Sequence, residues 1–261
     1  MLTRVNLRRD AVVDMGFRTV ARFLHIDGTM RATVISAQAF TSLIPFLVVT
    51  ASLAPGEGDL GDRLVDQYDL NGATARSVDT LFGSAGESGS TVTWVGIIIL
   101  LLSGLSFTRA IQNTYARSYD VELRGPQGAA RGLAWFAFFA VWMLTAVAAR
   151  NWLADATGPV VGLVAACITG FLFWLLTPLL LVPGIEPRRL VTGAVITGIA
   201  VGVLSAFSQI WIPLLLKWSA GKYGLIGVAF ALQTWLLTYA FIVVAAAVLG
   251  ATVSEQYAEE R

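Results

Sequence analysis

Residues 156–185, ATGPVVGLVAACITGFLFWLLTPLLLVPGI, decide the fold class, because none of these 30 residues carries a charge. A helix that crosses a bilayer needs about 20 consecutive, mostly apolar residues. Pro159 follows directly on Gly158, and proline is favoured in the first turn of a helix. The run therefore predicts a transmembrane helix over about 159–182.

Five further uncharged runs, on both sides of this one, predict transmembrane helices by the same argument. The six runs are 32–56, 88–108, 132–149, 156–185, 190–216 and 223–254, with lengths of 25, 21, 18, 30, 27 and 32 residues. They predict an all-α polytopic membrane protein with six spans, at about 32–54, 88–108, 132–149, 159–182, 190–214 and 226–253. In this plan the transmembrane domain is 32–254, between a cytoplasmic N-terminal segment (1–31) and a cytoplasmic tail (255–261). An acidic outer loop occupies 55–87.

The composition supports a membrane protein and excludes several function classes. The chain is 56% hydrophobic and only 13% charged, with a mean hydropathy of +0.70. Soluble proteins carry roughly 25% charged residues. A net charge of +1 gives no reason to expect nucleic acid as a partner. Because the chain has one cysteine, Cys167, and one histidine, His25, we expect no disulfide, no metal site, no cofactor and no catalytic residues.

The distribution of Lys and Arg predicts the orientation. Thirteen of them lie in the N-terminal segment, after spans two and four, and in the tail, whereas five lie in the opposite connections. Positive residues favour the cytoplasmic side. Both termini are therefore predicted to be cytoplasmic.

The N-terminal segment contains a predicted amphipathic helix over 10–27. Its apolar and polar residues fall on different faces at helical spacing. The apolar face consists of Val13, Phe17, Val20 and Leu24, and the polar face of Asp14, Arg18, Arg22 and His25. This pattern predicts a helix lying at the lipid headgroups, with arginines near anionic lipid. The alternative is a helix packed on the cytoplasmic loops.

Polar and small residues inside the spans provide candidates for a substrate path. Gln38 and Ser42 share a face in span one, and Ser205 and Gln209 share one in span five. A polar face beside a kinked helix is typical of transporter sites. The alternative is that these side chains only hold helices together. The residues predicted to serve packing or kinks are Pro45, Gly158, Gly162, Pro178, Gly198, Gly202 and Pro213.

A second polar group lies at the cytoplasmic boundary of span two. Ser106, Arg109 and Asn113 recur at helical spacing on one face. Arg109 there is either an anchor at the headgroups or a phosphate site for an anionic ligand. We therefore predict these residues to form the cytoplasmic mouth of the path or a headgroup site.

Three stretches resemble the YihY/BrkB family, whose members also carry the older label ribonuclease BN. They are DGTMRATVISAQAFTSLIPFLVV (27–49), RAIQNTY (109–115) and KYGLIGVAFALQTWLLTYAFIVVAAAVLGA (222–251). The resemblance implies a bacterial inner-membrane helical bundle for which transport or lipid translocation is suspected. The chain departs from the family pattern at Ala37 and Gln38, where aromatic residues are usual, and at Thr252, where a Glu is usual. A mechanism using that carboxylate is therefore in doubt here.

Two functional hypotheses follow from the sequence. The first is a transporter or lipid translocator, not driven by ATP, for an amphiphilic or anionic substrate. The second is a non-transporting scaffold or lipid-binding protein that self-associates through its glycine-containing faces. Membrane lipids are the expected partners in both. The ribonuclease label receives no support, because no paired acidic or histidine groups are available for hydrolysis.

Overall fold

The computed structural model describes residues 2–53, 90–122, 125–157, 159–182 and 185–259. Within these ranges the chain forms helices and short connections, without strands. The helices are α1 (Leu2–His25), α2 (Gly28–Leu53), α3 (Ser90–Ser118), α4 (Gly125–Thr157), α5 (Pro159–Leu181) and α6 (Pro187–Glu259). The predicted all-α class is thus confirmed for this part of the chain. The predicted outer loop 55–87 and Gly158 lie outside it.

Three helical segments are long and apolar enough to cross a membrane. They are Ile97–Ser118 in α3 and both Pro187–Ser208 and Ile226–Gln256 in α6. Shorter apolar helices cover Gly128–Met143 in α4 and Cys167–Leu181 in α5. Predicted spans two to six each overlap one of these segments, and span one overlaps α2 up to Leu53. The count of six and the orientation stay predictions.

Predicted spans five and six lie within one long helical element, α6. The element contains a break at Gly224, whose φ of 59° and ψ of −143° are not helical. A side chain is strained in this conformation, which is essentially restricted to glycine. The chain also folds tightly here, since a Cβ on Gly227 would lie 2.3 Å from the carbonyl oxygen of Ser219. Gly224 therefore separates the two apolar halves of α6.

Three prolines lie inside continuous helices. Pro45 is within α2, Pro178 within α5 and Pro213 within α6. A proline removes one backbone hydrogen bond, which a membrane bundle tolerates when neighbouring groups satisfy the freed carbonyl. None of the three ends its helix, and the kinks predicted at these positions stay predictions.

The chain divides into two compact units. The first unit comprises 1–34, 108–206 and 239–261, and the second comprises 35–107 and 207–238. In the second unit, Gln233 Nε2 donates a hydrogen bond of 3.3 Å to Ser36 Oγ, and the Phe207 ring stacks on Trp211 and Trp235. The second unit is thus held by a polar contact and an aromatic cluster.

Aromatic side chains of α4 and α5 form much of the core of the first unit. Phe173 stacks on Trp142 with ring centroids 4.5 Å apart and also contacts Trp135. The indole nitrogen of Trp135 donates to Thr177 Oγ1 at 3.1 Å, and that of Trp174 donates to the Tyr239 hydroxyl at 2.9 Å. These bonds satisfy the indole groups inside the protein, as a surrounding of lipid requires.

The closest helix contact described in the first unit joins the two halves of α6 through glycines. A Cβ added to Gly250 would lie 2.2 Å from the Cα of Gly193. Gly198, by contrast, packs against Phe171, and a Cβ on Gly202 would meet nothing within 4 Å. Of the predicted packing residues Gly198 and Gly202, only Gly198 therefore has a close neighbour. The closest backbone approach described is between Gly193 and Gly250.

Exposed apolar side chains follow regular stripes along the helices. On α5 they recur every fourth residue, which places them on one helix face. They are Val164, Ile168, Leu172 and Leu176. Ile199 and Val203 continue the same pattern on α6. A soluble protein rarely exposes such continuous apolar surface, whereas lipid contact requires it.

Candidate functional site

A charged cleft of about 350 Å³ lies in the first unit. Its walls come from the last turns of α1, the end of α3 and the last turns of α6. The charged residues that line it are Arg18, Arg22, Arg117, Asp120 and Glu255. The other lining residues are Ala21, His25, Ile26, Thr252 and Gln256.

Arg22 is the central ion-pairing residue of the cleft. Its guanidinium donates a hydrogen bond to Glu255, 233 residues away in the sequence, and lies 3.6 Å from Asp120 Oδ2. The Arg22 side chain is only 16% exposed, whereas that of Glu255 is 41% exposed. Partial burial strengthens the pair relative to a surface ion pair. The contact attaches the end of α1 to the end of α6.

The backbone at the end of α3 directs Asp120 toward Arg22. Val121 N donates to Ala116 O at 2.8 Å and Asp120 N lies 3.4 Å from Arg117 O, which together form a Schellman C-cap. Asp120 occupies its left-handed position with a φ of 52°. Aspartate tolerates this conformation better than most residues. The cap thereby places a carboxylate at the rim of the cleft.

The remaining arginines give the cleft a surplus of positive charge. Arg18 Nε lies 2.9 Å from Asp14 Oδ2, in an exposed pair one helical turn apart. Arg117 is exposed and forms no ion pair with a carboxylate in the described ranges. Burial lowers the pKa of Arg31, and the nearby charge of Arg117 lowers it further. The charge of Asp27 acts in the opposite direction and raises it. Two guanidinium groups therefore repel each other beside the cleft.

These residues suit an anion better than a metal ion. Three guanidinium groups and two carboxylates line the cleft, and arginine offers planar donors that match phosphate or carboxylate oxygens. Across the described part of the chain, no three His, Cys, Asp or Glu side chains are grouped closely enough to hold a metal ion. Electrostatics thus favours a negatively charged ligand in the cleft.

The predicted mouth residues of α3 lie on its exposed face. Ser106, Arg109 and Asn113 are all exposed, and the Ser106 hydroxyl donates to the Leu102 carbonyl of its own helix at 3.0 Å. The opposite face carries the buried Gln112, whose Nε2 donates to Gly128 O at 3.1 Å and to Leu181 O at 3.0 Å. Gln112 therefore joins α3, α4 and the end of α5, and none of the three predicted residues lines the cleft.

The predicted path residues are distributed over both units. Gln38 and Ser42 are half-buried in the second unit, and the Ser42 hydroxyl donates to the Gln38 carbonyl at 2.8 Å. Ser205 is half-buried in the first unit, and the side chain of Gln209 lies outside the described residues. The four-residue path stays a prediction.

Sequence reasoning missed the cleft because its walls come from distant segments. Arg117 entered only the count that set the orientation, Arg22 entered also as part of the polar face of the amphipathic helix, and Glu255 was assigned to the tail. All cleft residues except Thr252, which is near the end of predicted span six, nevertheless lie in segments predicted to share one side of the membrane. This common predicted side was the signal that the sequence offered. The sequence did not indicate that Arg22 pairs with Glu255, which is 233 residues away.

The predicted amphipathic helix is present as part of α1. Its apolar residues Val13, Phe17, Val20 and Leu24 are all exposed. Its other side packs on the first unit through Arg22 and through Phe23, whose ring lies 5.3 Å from that of Phe241. The apolar stripe is therefore largely exposed, while residues of the polar side line the cleft.

Apolar helices with exposed stripes and a basic cleft define the class as an α-helical membrane protein. Comparison with family models then identifies the chain, because the model described as Virulence factor BrkB matches residues 19–261. The chain belongs to this family, which confirms the resemblance seen in the sequence. Neither the curated proteins nor the solved structures gave a match.

The departure from the family pattern at Thr252 falls in the cleft. Thr252 and Glu255 both line it and are three residues apart on α6, so they share a helix face. At position 252 this chain has the hydroxyl of Thr252, where the family usually has a carboxylate. Glu255, one turn later, places a carboxylate in the same wall of the cleft.

Proposed function

We propose that this protein moves an anionic amphiphile across the bacterial inner membrane without ATP, and that the cleft binds the charged headgroup. The observation that carries the proposal is the convergence of Arg18, Arg22 and Arg117 on one cleft of an apolar helical protein. Helices that bear exposed apolar stripes are suited to lipid, and the arginines are suited to an anion.

The orientation and α1 belong to the same proposal. With both termini cytoplasmic, the cleft opens at the inner leaflet, where anionic lipids give a negative surface potential. The exposed stripe of Phe17 and its neighbours then lies in the headgroup region, and the arginines of α1 lie beside it. The protein performs no covalent chemistry in this scheme and uses no cofactor.

Lipid movement in sealed liposomes tests the proposal. The full chain is reconstituted with a headgroup-labelled anionic phospholipid, and a membrane-impermeant quencher is added outside. Translocation gives quenching beyond the outer-leaflet fraction, which empty liposomes do not show. Quenching that stops at the outer-leaflet fraction contradicts unassisted translocation of this lipid.

Two charge variants locate the headgroup site. Arg117→Gln removes the cleft arginine that has no ion pair among the described residues, and Arg109→Gln removes the arginine predicted from the sequence to lie at the mouth. We expect the first to slow quenching by about tenfold, since a charge-assisted hydrogen bond contributes about 1.5–3 kcal/mol. Loss of flux in Arg109→Gln alone would instead assign the headgroup to the exposed face of α3.

The alternative function is a scaffold or lipid-binding protein that transports nothing. Open space around Gly202 supports it, because a small residue without an intramolecular neighbour leaves room for another helix. This function predicts that Gly202→Leu disrupts self-association while Arg117→Gln has no effect on assembly. Measuring the mass of the protein in detergent separates the two results.

A further inference from the structure

Four buried polar atoms of the first unit lack a hydrogen-bond partner among the described residues. They are Ser118 Oγ, Tyr119 OH, Arg189 Nε and Gln256 Oε1. Native proteins pair nearly all buried polar atoms, so each exception indicates a role. All four belong to the first unit, and Gln256 itself lines the cleft.

Packing places the hydroxyl of Tyr119 against α6, and Tyr119 directly precedes Asp120, which lines the cleft. A Cβ on Gly193 would lie 2.0 Å from the Tyr119 hydroxyl oxygen, so the hydroxyl rests directly on α6 at Gly193. Arg189 is four residues earlier on the same helix, and residues at this spacing are neighbours on one face. The hydroxyl and the guanidinium N–H are therefore donors on adjacent turns.

The charges of two arginines act on the Tyr119 hydroxyl. Burial raises the pKa of Tyr119 to about 12, while the charges of Arg22 and Arg189 act to lower it. Of these two arginines, only Arg22 lines the cleft. At neutral pH the phenol is protonated, so its O–H is available to donate a hydrogen bond to a ligand.

A ligand for this arrangement needs several acceptor oxygens and more than one negative charge. Arg22 already pairs with Glu255 and Asp120, but Arg117 has no carboxylate partner in the described ranges. A phosphate monoester has three terminal oxygens and a charge of about −1.5 to −2 at pH 7. A phosphodiester has two free oxygens and a carboxylate has two, each with a single charge.

We propose that the cleft binds a phosphate monoester, with Arg117 and Arg22 as its charge partners and with Tyr119 and Arg189, which lie behind the lining residues, as hydrogen-bond donors. This inference rests on the proposed function, for which it names the headgroup class. The ligand is either a lipid with a terminal phosphate or a free phosphate compound. The exposed apolar stripe of α1 beside Arg18 favours the lipid.

Lipid retention measures the selectivity. The full chain in phosphatidylcholine nanodiscs is offered equal traces of phosphatidic acid, a monoester, and phosphatidylglycerol, a diester, and native mass spectrometry reports the bound lipid. A separate arm adds inorganic phosphate to the same nanodiscs and measures the thermal shift. We expect phosphatidic acid to be retained at least tenfold over phosphatidylglycerol.

The variants assign the selectivity to the named residues. Arg117→Gln should reduce phosphatidic acid retention by about tenfold, and Tyr119→Phe, which keeps the shape of the ring, by about threefold to tenfold. Arg131→Gln removes an equally exposed arginine of α4 away from the cleft and serves as the control. Unchanged melting temperatures of the variants show that the fold is intact.

Each outcome decides between the alternatives. Retention of phosphatidic acid without a shift by inorganic phosphate assigns a lipid ligand, and a shift by phosphate without lipid selectivity assigns a free phosphate compound. Equal retention of both lipids with no phosphate shift, or variants that behave as wild type, overturns the inference. Selective binding of phosphatidic acid without any flux in liposomes supports this site and contradicts the proposed function. Flux that depends on Arg117, without selectivity between the two lipids, supports the proposed function and contradicts the phosphate monoester site.

Discussion

Single residues with unusual backbone or burial carry the clearest local information in this protein. Gly224 has a positive φ with an extended ψ, and the hydroxyl of Tyr119 is buried without a partner among the described residues. The sequence predicted a boundary near Gly224, because the sixth uncharged run and the family-like stretch 222–251 both begin there. Only the structure gives its conformation.

Replacing Gly224 by alanine should destabilise the protein. A side chain in this region of φ/ψ space costs about 1–3 kcal/mol. Gly221→Ala is the matched control, because Gly221 is helical and has open space around it, and alanine there should be neutral or slightly stabilising. Unfolding in mixed micelles measures both variants. Equal stabilities would contradict the strained conformation at Gly224.

The raised pKa of Tyr119 makes stability depend on pH in the alkaline range. The folded phenol titrates at about 12, against about 10 in the unfolded chain, so the unfolded state loses its proton first. The contribution of this phenol to the free energy of unfolding is fully present below pH 10. It falls by about 2–3 kcal/mol as the pH rises to 12. Other buried phenols add to the slope, so the test compares variants.

Tyr119→Phe should flatten this pH dependence. In ligand-free detergent the variant should be as stable as the wild type at pH 7 or slightly more stable, because it removes an unpartnered buried hydroxyl. Free energies of unfolding at pH 9, 11 and 12 provide the comparison. Parallel curves for the two proteins would show that the phenol does not titrate as described.

At the scale of elements, glycine contacts decide how closely helices approach. The close pair is Gly193 with Gly250, whereas the sequence pattern emphasised Gly198 and Gly202. A small-xxx-small pattern identifies a face that permits close approach, but which face meets a partner depends on helix rotation. Rotation is set by packing between distant segments, which single-sequence patterns do not report.

Gly250→Ala should therefore destabilise the first unit. Its Cβ would lie 2.2 Å from the Cα of Gly193, so the two helical segments must separate, and overpacking of this kind costs about 1–3 kcal/mol. Gly202→Ala is the control, since nothing lies within 4 Å of its Cβ. It should stabilise by up to about 1 kcal/mol through helix propensity. The reverse order of stabilities would refute the Gly193–Gly250 contact.

The exposed stripe of α1 should lie in the lipid headgroup region. A spin label at Phe17→Cys, in a Cys167→Ser background, should be more accessible to oxygen than to a polar nickel reagent. The same label at Ala21→Cys, which lines the cleft, should show the opposite preference. Power-saturation measurements in liposomes compare the positions. Polar accessibility at both would place α1 away from the bilayer.

For the whole molecule, topology follows from charge asymmetry. Thirteen Lys and Arg on one predicted side against five on the other predict cytoplasmic termini. Single cysteines at Ala11→Cys and Ala258→Cys, again without Cys167, should react with an impermeant maleimide only after the cells are permeabilised. Ala73→Cys in the predicted outer loop should react before. Labelling of either terminus in intact cells would reject the orientation.

The sequence by itself determined the membrane class, the helical composition, the amphipathic stripe of α1 and the family. Each of these depends on local features, namely uncharged runs, helical periodicity and short motifs. The exposure of Phe17 and Leu24 agrees with periodicity alone. In this protein the family motifs also coincide with structural positions, such as the Gly224 break and the Gly250 contact.

Only the tertiary structure decided where the charged residues meet. The pairing of Arg22 with Glu255, the approach of Tyr119 to α6 and the turn that presents Asp120 all join segments far apart in the chain. Such contacts depend on how helices rotate and pack, because each helix offers several polar faces and packing selects one. On α3 the sequence emphasised Arg109, which lies on the same exposed face as Arg117 two turns earlier. Only the packing of α1 and α6 at the end of α3 shows that the cleft lies at Arg117.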